Sequence, residues 1–218
     1  MLHLIWDMDG TLVDSGPEIL ATIQKALAAV RLSLEDACQP LRIGPPLPVM
    51  LRASFEEKVL SDNQIQEVIS AFRSIYDTSD FEDTKPFDGI EEIIYNRGFE
   101  HHIITNKPDY ATRRIIEKKG WTNCIADVLS PDTLTTGTGR PMNKRELFQY
   151  FKAKNPDLRA VGVGDMAGDA ICAKTVNYPA IGVLWGTGSK DELIQCGCDA
   201  IVASTVELRN TLERYNEH

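Results

Sequence analysis

The chain has 218 residues, of which 43% are hydrophobic and 25% are charged, and its formal net charge is −9. This length is sufficient for one large domain or for a core with a small insertion. The acidic excess argues against general nucleic-acid binding, because phosphate backbones attract basic surfaces. No apolar run approaches the roughly 20 residues that span a bilayer, so we expect no membrane segment.

The cysteine content indicates a reducing compartment. The five cysteines are odd in number and their spacing forms no disulfide framework. Cys196 and Cys198 are close in sequence, but no second half of a metal site lies nearby. The first residues also lack the basic region of a signal peptide. We therefore expect a cytoplasmic protein with reduced thiols.

The first elements in the chain are one strand and a helical segment. Residues 2–6 form a short apolar run that ends at Asp7, as expected for a buried strand. From residue 17 to about residue 79, apolar residues recur at spacings of three and four, which is typical of helices. The predicted helices cover residues 18–30, 47–60 and 63–76.

The second part of the chain alternates between strand and helix patterns. Strands are predicted near residues 101–105, 124–130, 160–165, 180–185 and 199–203, with helical patterns before and between them. Such alternation favours a parallel sheet with helices on both faces. We predict an α/β, Rossmann-like core formed by residues 1–15 and 82–218. Residues 16–81 are predicted to form an inserted helical cap domain.

The strongest chemical signal is the segment DMDGT, which runs from Asp7 to Thr11. It places two carboxylates two residues apart at the end of a strand, where open α/β sheets bind ligands. Gly10 allows a sharp turn there. Such a segment could also be a solvated acidic turn, since Asp-Gly is a common turn dipeptide.

Four segments together resemble the motifs of the haloacid dehalogenase superfamily. They are DMDGTLVDS at residues 7–15, IITNKP at 103–108, NKREL at 143–147 and GVGDMAGD at 162–169. The tail of the chain resembles phosphoglycolate-phosphatase-like members. Asp9 is similar to the second aspartate of the phosphatase and phosphomutase branch, which the true dehalogenases lack. The resemblance implies a helical cap, a Mg²⁺ cofactor and phosphoryl transfer.

The acidic residues of these motifs raise a problem of charge. Four carboxylates, from Asp7, Asp9, Asp165 and Asp169, would sum to about −4 and cannot all ionise cheaply. Lys144, a magnesium ion and a proton on Asp9 would bring this cluster near neutrality. Oxygen ligands and a phosphate substrate favour magnesium over zinc.

The resemblance and this charge balance imply a role for each residue. Asp7 attacks phosphorus and forms an aspartyl-phosphate. Asp9 protonates the leaving oxygen and then accepts a proton from water. Thr105, with Asn106, hydrogen-bonds a phosphoryl oxygen, and Lys144 neutralises the developing charge. The resemblance implies that the metal is held by Asp7, the backbone carbonyl of Asp9, Asp165 and Asp169.

Three points stay open at this level. Asp169 could be a direct ligand, a water-mediated ligand or a partner of Lys144. Arg140 or Lys107 could neutralise the developing charge together with Lys144. Lys107 could instead bind an anionic group of the substrate. Of His101 and His102, we expect one to face solvent, and we expect neither to bind a metal.

The predicted function is a phosphoric monoester hydrolase acting on a small phosphorylated metabolite similar to phosphoglycolate. A sugar phosphomutase and an inorganic pyrophosphatase are alternatives within the same chemistry. A catalytically inactive binding protein is an alternative of another class, although idle buried carboxylates are costly. No nucleic-acid or membrane partner is expected, and the chain is expected to be a monomer or homodimer. The sequence does not identify the physiological substrate.

Overall fold

The computed structural model describes residues 1–217, and the chain divides into two compact units. The first unit consists of Met1–Asp14 and Pro86–His218, and the second is Ser15–Lys85. The predicted insertion, residues 16–81, begins one residue later and ends four residues earlier than this second unit. No helix within residues 1–217 is long and apolar enough to cross a membrane.

The first unit is built on a parallel sheet of six strands. The first strand, β1 (Leu2–Trp6), is buried along its whole length, which explains why four of its five residues are apolar. The predicted α/β class with a parallel sheet is confirmed. The strands within residues 1–217 are, in chain order, β1 (Leu2–Trp6), β2 (Val13–Asp14), β3 (Lys85–Pro86), β4 (Phe99–Ile104), β5 (Ile125–Leu129), β6 (Ala160–Gly164), β7 (Ala180–Val183) and β8 (Ala200–Val202). The six-stranded sheet has the order β5-β4-β1-β6-β7-β8, in which β1 is a central strand, and β2 pairs with β3.

Helices of the first unit surround this sheet and contribute to its core. Ile5 and Ile104 pack in one cluster with Phe148, Phe151 and Ala173. Burial of such side chains is the main favourable contribution to folding. Numbered after the three helices of the second unit, these helices are α4 (Ile90–Ile94), α5 (Asp109–Lys118), α6 (Lys144–Lys154), α7 (Ala167–Lys174), α8 (Lys190–Gln195) and α9 (Thr205–Glu217).

The second unit is helical, as its periodicity predicts. It contains α1 (Gly16–Leu27), α2 (Leu47–Ser54) and α3 (Asp62–Tyr76), with short 3-10 turns at Ala28–Val30 and Leu34–Asp36. The predicted helix over residues 47–60 is wrong in its second half. Helix α2 ends at Ser54 because Phe55 is extended, and Ser61 caps the start of the next helix.

The two adjacent histidines on β4 are both buried, with exposures of 2% for His101 and 5% for His102. The expectation that one of them faces solvent is therefore wrong. His101 accepts a hydrogen bond from the Trp6 indole, whereas the His102 ring packs edge-on against Phe151 of α6. Successive strand residues point to opposite faces, and here both faces of β4 are covered.

Candidate active site

Three of the predicted site residues follow neighbouring strands at one edge of the sheet. Asp7 comes directly after β1, Thr105 after β4 and Asp165 after β6. Strand β1 pairs with both β4 and β6 in parallel, so the carboxyl ends of the three strands adjoin. The topology thus brings together residues that are about 60 to 160 positions apart in the sequence.

A cluster of three carboxylates lies at this edge. Asp7, Asp165 and Asp169 each offer a carboxylate oxygen, and these oxygens lie within 4.8 Å of one another. All three residues are buried, with Asp165 completely inaccessible. Asp169 is in the first turn of α7, where its second oxygen accepts the backbone N–H of Met166 at 2.9 Å. We refer to Asp7, Asp165 and Asp169 as the acidic cluster.

Lys144 is the buried cation of this cluster. Its Nζ lies 2.6 Å from an oxygen of Asp7 and 2.6 Å from an oxygen of Asp169. Lys144 is the first residue of α6, whose start is fixed by a capping box between Asn143 and Glu146. Burial alone would lower the pKa of Lys144, but the carboxylates of Asp169 and Asp7 outweigh burial and raise it.

For Asp7, in contrast to Lys144, burial outweighs the attraction of the neighbouring opposite charge. Burial raises the pKa of the Asp7 carboxyl to about 7, and the attraction of Lys144 offsets this rise only in part. The carboxylates of Asp169 and Asp165 add to the rise. Burial likewise raises the pKa of Asp165. A cation at the cluster would stabilise the ionised form of all three groups.

Asp165 is held by two threonines that were not predicted from the sequence. Its Oδ2 accepts the backbone N–H of Thr187 at 2.7 Å and the Thr187 hydroxyl at 3.1 Å. Its Oδ1 accepts the hydroxyl of Thr11 at 3.3 Å. The sequence feature that could have identified Thr187 is its position in a Gly-Thr-Gly segment after β7, at the same edge of the sheet. Both threonines orient the carboxylate.

Two glycines allow the backbone to approach Asp165 closely. A Cβ at Gly186 would lie 2.3 Å from Asp165 Oδ2 and 2.4 Å from the carbonyl oxygen of Gly10. Gly10 itself has a φ of +81°, and its Cβ would lie 2.5 Å from the same Oδ2. Only glycine therefore fits at either position without displacing the carboxylate.

Asp9 contacts a second buried lysine. Its Oδ1 lies 2.8 Å from Nζ of Lys107, whose residue exposure is only 4%. Lys107 is therefore buried against Asp9 and is not a solvated surface lysine. Although Asp7 and Asp9 are two residues apart, the structure gives each a different lysine partner. Metal coordination through the Asp9 backbone carbonyl stays a prediction.

The remaining predicted residues differ in their placement. Thr105 is buried, and its hydroxyl accepts the backbone N–H of Lys107 at 3.1 Å. Asn106 lies between these two residues and is half-buried. Exposed Arg140 pairs with half-buried Glu146 at 2.6 Å instead of approaching the acidic cluster. Lys144, not Arg140, therefore has the contacts expected of the motif lysine.

The chemistry of the site fits a divalent cation. When all four are ionised, the carboxylates of Asp7, Asp9, Asp165 and Asp169 contribute four negative charges, and the ammonium groups of Lys107 and Lys144 contribute two positive ones. The sum of −2 equals the charge that a divalent ion would neutralise. Carboxylate oxygens are the ligands that hard cations prefer. Asp7, Asp165 and Asp169 are the side chains close enough together to share one ion.

Comparison with known proteins identifies the family. A model of the haloacid dehalogenase-like hydrolase family matches residues 4–183. The chain belongs to this family. The predicted family is thereby confirmed.

Relatives of this haloacid dehalogenase-like hydrolase include named phosphatases. A phosphoglycolate phosphatase from Xylella fastidiosa (strain 9a5c) is 30% identical over 199 residues, which cover 87% of this chain and 82% of that protein. A 5'-nucleotidase from Pseudomonas aeruginosa is 26% identical over 220 residues, covering 98% and 96%. Both names describe enzymes that release phosphate from monoesters, so the predicted enzyme class, a phosphoric monoester hydrolase, is confirmed.

Solved structures of this fold agree with the sequence comparison. The crystal structure of a predicted phosphatase from Clostridium acetobutylicum superposes with a TM-score of 0.81 at 25% identity. The match covers 97% of this chain and 98% of that chain, so it includes both units.

Proposed function

We propose that this hydrolase is a Mg²⁺-dependent phosphatase that acts on a small phosphate monoester, similar to phosphoglycolate, through an aspartyl-phosphate at Asp7. The observation that supports the proposal is that Asp7 and Asp9 contact different lysines. Asp7 belongs to the acidic cluster and contacts Lys144, whereas Asp9 contacts Lys107. Two carboxylates held in different surroundings are suited to two different roles in one reaction.

The acidic cluster would hold the metal ion through Asp7, Asp165 and Asp169. A bound Mg²⁺ supplies Lewis-acid stabilisation of negative charge on phosphoryl oxygens. The donor set supports Mg²⁺, because it offers only oxygen atoms and carries excess negative charge. Thr11 and Thr187 would keep the Asp165 carboxylate in a fixed orientation.

In the first step, an Asp7 carboxylate oxygen attacks phosphorus and the bond from phosphorus to the ester oxygen breaks. Asp9 donates a proton to that leaving oxygen. Lys144 and the Thr105 hydroxyl stabilise charge on the transferring group. An arriving phosphate dianion would attract the Lys107 ammonium away from Asp9, and this exchange would favour the protonated carboxyl that the step requires.

In the second step, water attacks the phosphorus of the aspartyl-phosphate and the bond to the Asp7 oxygen breaks. Asp9, now ionised, accepts the proton of that water. Inorganic phosphate leaves and both carboxylates regain their starting states. Asp169 would keep Lys144 close to Asp7 through both steps, since the ammonium contacts the two carboxylates at equal distances.

Small metabolites are the proposed substrates. The net charge of −9 disfavours nucleic acids, and the sequence relatives carry the names of enzymes for small phosphate monoesters. We propose a cytoplasmic enzyme that acts as a monomer or homodimer without a membrane partner.

The decisive test is rapid-quench labelling with substrates that carry radioactive phosphate. Phosphoglycolate should transfer label to the protein in Mg²⁺, the label should be sensitive to hydroxylamine, and the Asp7→Asn variant should not acquire it. Inorganic phosphate release should be compared for phosphoglycolate, a 5'-nucleotide, a hexose 1-phosphate and pyrophosphate. Turnover without any labelled protein would contradict the covalent mechanism. Label that is passed to a second hydroxyl instead of to water would identify a phosphomutase.

A further inference from the structure

A second group of convergent ligand atoms lies at the opposite end of the central strands. His3 on β1 is paired in register with Glu100 on β4, and His102 lies two residues further along β4. Since side chains alternate along a strand, Glu100 and His102 point to the same face. Asp7 follows His3 by four residues and follows Ile5, the register partner of His102, by two, so this group lies about 7 to 13 Å along the strands from the acidic cluster.

The ligand atoms form a nearly regular triangle. Nδ1 of His3 lies 3.0 Å from Nε2 of His102, and Oε1 of Glu100 lies 3.7 Å and 3.6 Å from these nitrogens. The point in the plane of these atoms that is equidistant from all three is about 2.0 Å from each, which matches the bond lengths of Zn²⁺ to imidazole and carboxylate.

A hydrogen bond between the rings explains only the distance between the two ring nitrogens and does not explain the position of Glu100. One nitrogen can donate to the other at 3.0 Å, but the Glu100 carboxylate is beyond hydrogen-bond distance from both rings. The three atoms together offer two imidazole nitrogens and one carboxylate oxygen, and neutral imidazole is the form that binds a metal.

We propose that His3, Glu100 and His102 form a binding site for Zn²⁺ that is separate from the catalytic metal, which replaces the expectation from the sequence that His102 binds no metal. Two imidazoles and one carboxylate are a ligand set that Zn²⁺ accepts and that Mg²⁺ does not prefer. The Glu100 side chain is 39% exposed, so it provides an entry path and room for water as the fourth ligand.

The residues around the proposed Zn²⁺ site determine its expected affinity and the effect of the ion on stability. His102 packs against Phe151, and its Nδ1 has no hydrogen-bond partner among the described residues. Ligating histidines bind most tightly when the second nitrogen is hydrogen-bonded, so we expect a micromolar rather than a nanomolar dissociation constant. The ion would join β1 to β4 directly, and it should raise thermal stability without changing turnover in Mg²⁺.

The test is titration of the metal-free full chain with Zn²⁺ in a large excess of Mg²⁺, which occupies the acidic cluster. We expect one equivalent to bind and to raise the melting temperature. Glu100→Gln should weaken binding at least tenfold, whereas Glu117→Gln, an exposed acid on α5, should have no effect. His3→Gln provides a second ligand variant, and the melting temperature of each metal-free variant verifies folding.

Co²⁺ identifies the ligands by its absorption spectrum. Bound Co²⁺ should show visible bands of a four-coordinate site, without the near-ultraviolet absorption of a thiolate ligand. The proposal is overturned if no Zn²⁺ binds in excess Mg²⁺, or if Glu100→Gln binds as tightly as the wild type. Loss of Zn²⁺ binding in Asp165→Asn alone would assign the ion to the acidic cluster and would also overturn it.

Discussion

The Lys107 ammonium lies 2.8 Å from the Asp9 carboxylate, with the two side chains 2% and 14% exposed. A pair this well buried is held in place, because removing either partner would leave the other charge poorly solvated. Lys107 is therefore coupled to the proposed acid and base, and it lies on the loop directly after Thr105.

Replacing Lys107 tests this coupling. Lys107→Ala should reduce kcat/KM for phosphoglycolate and for a neutral phosphate ester of similar size by the same factor, roughly 10²-fold. The reason is that both substrates require the same proton transfer by Asp9. Steady-state assays of the two substrates provide the measurement, and Lys118→Ala, an exposed lysine, is the control. A loss confined to phosphoglycolate would instead show that Lys107 binds the substrate carboxylate.

Replacing Lys144 should affect both chemistry and stability. Lys144→Gln removes the cation shared by Asp7 and Asp169, so kcat should fall by at least about 10²-fold. The melting temperature near neutral pH should also fall, since two buried carboxylates lose their partner. Lys154→Gln, on the exposed side of the same helix, should leave both measurements close to wild type. Full activity in Lys144→Gln would remove this lysine from the mechanism.

Two glycines near Asp165 give a matched comparison. Gly186→Ala should displace the Asp165 carboxylate, because its Cβ would lie 2.3 Å from Oδ2. We expect Mg²⁺ affinity, measured by calorimetry, to fall at least about tenfold, or 1.4 kcal/mol. Gly168→Ala in α7 meets no atom within 4 Å and should bind Mg²⁺ normally. Equal affinities in the two variants would contradict metal binding through Asp165.

Metal binding should be visible as stabilisation of the folded chain. At a Mg²⁺ concentration about 100 times the dissociation constant, the free energy of unfolding should increase by about 2.7 kcal/mol. Asp165→Asn should abolish this increase, and Asp157→Asn, an exposed aspartate, should retain it. Thermal or denaturant unfolding with and without a chelator provides the measurement. An unchanged Mg²⁺ effect in Asp165→Asn would locate the ion elsewhere.

Much of the architecture could be predicted because it depends on local pattern. The alternation of strands and helices after residue 87 indicated the parallel sheet, and the mostly apolar run of β1 indicated a buried strand. The second half of the predicted helix over residues 47–60 was wrong. Helical spacing continued there, but the capping interactions of Ser61 begin a new helix.

The sequence by itself determined which residues follow which strands, and therefore that Asp7, Thr105 and Asp165 lie at one edge of a sheet. It did not determine which cation meets which carboxylate. The pairing of Lys144 with Asp7 and of Lys107 with Asp9, the support of Asp165 by Thr187, and the burial of both His101 and His102 were decided by the tertiary structure. The physical reason is that these contacts join residues on different strands and loops. Their distances depend on strand order, register and side-chain packing, which no local periodicity specifies.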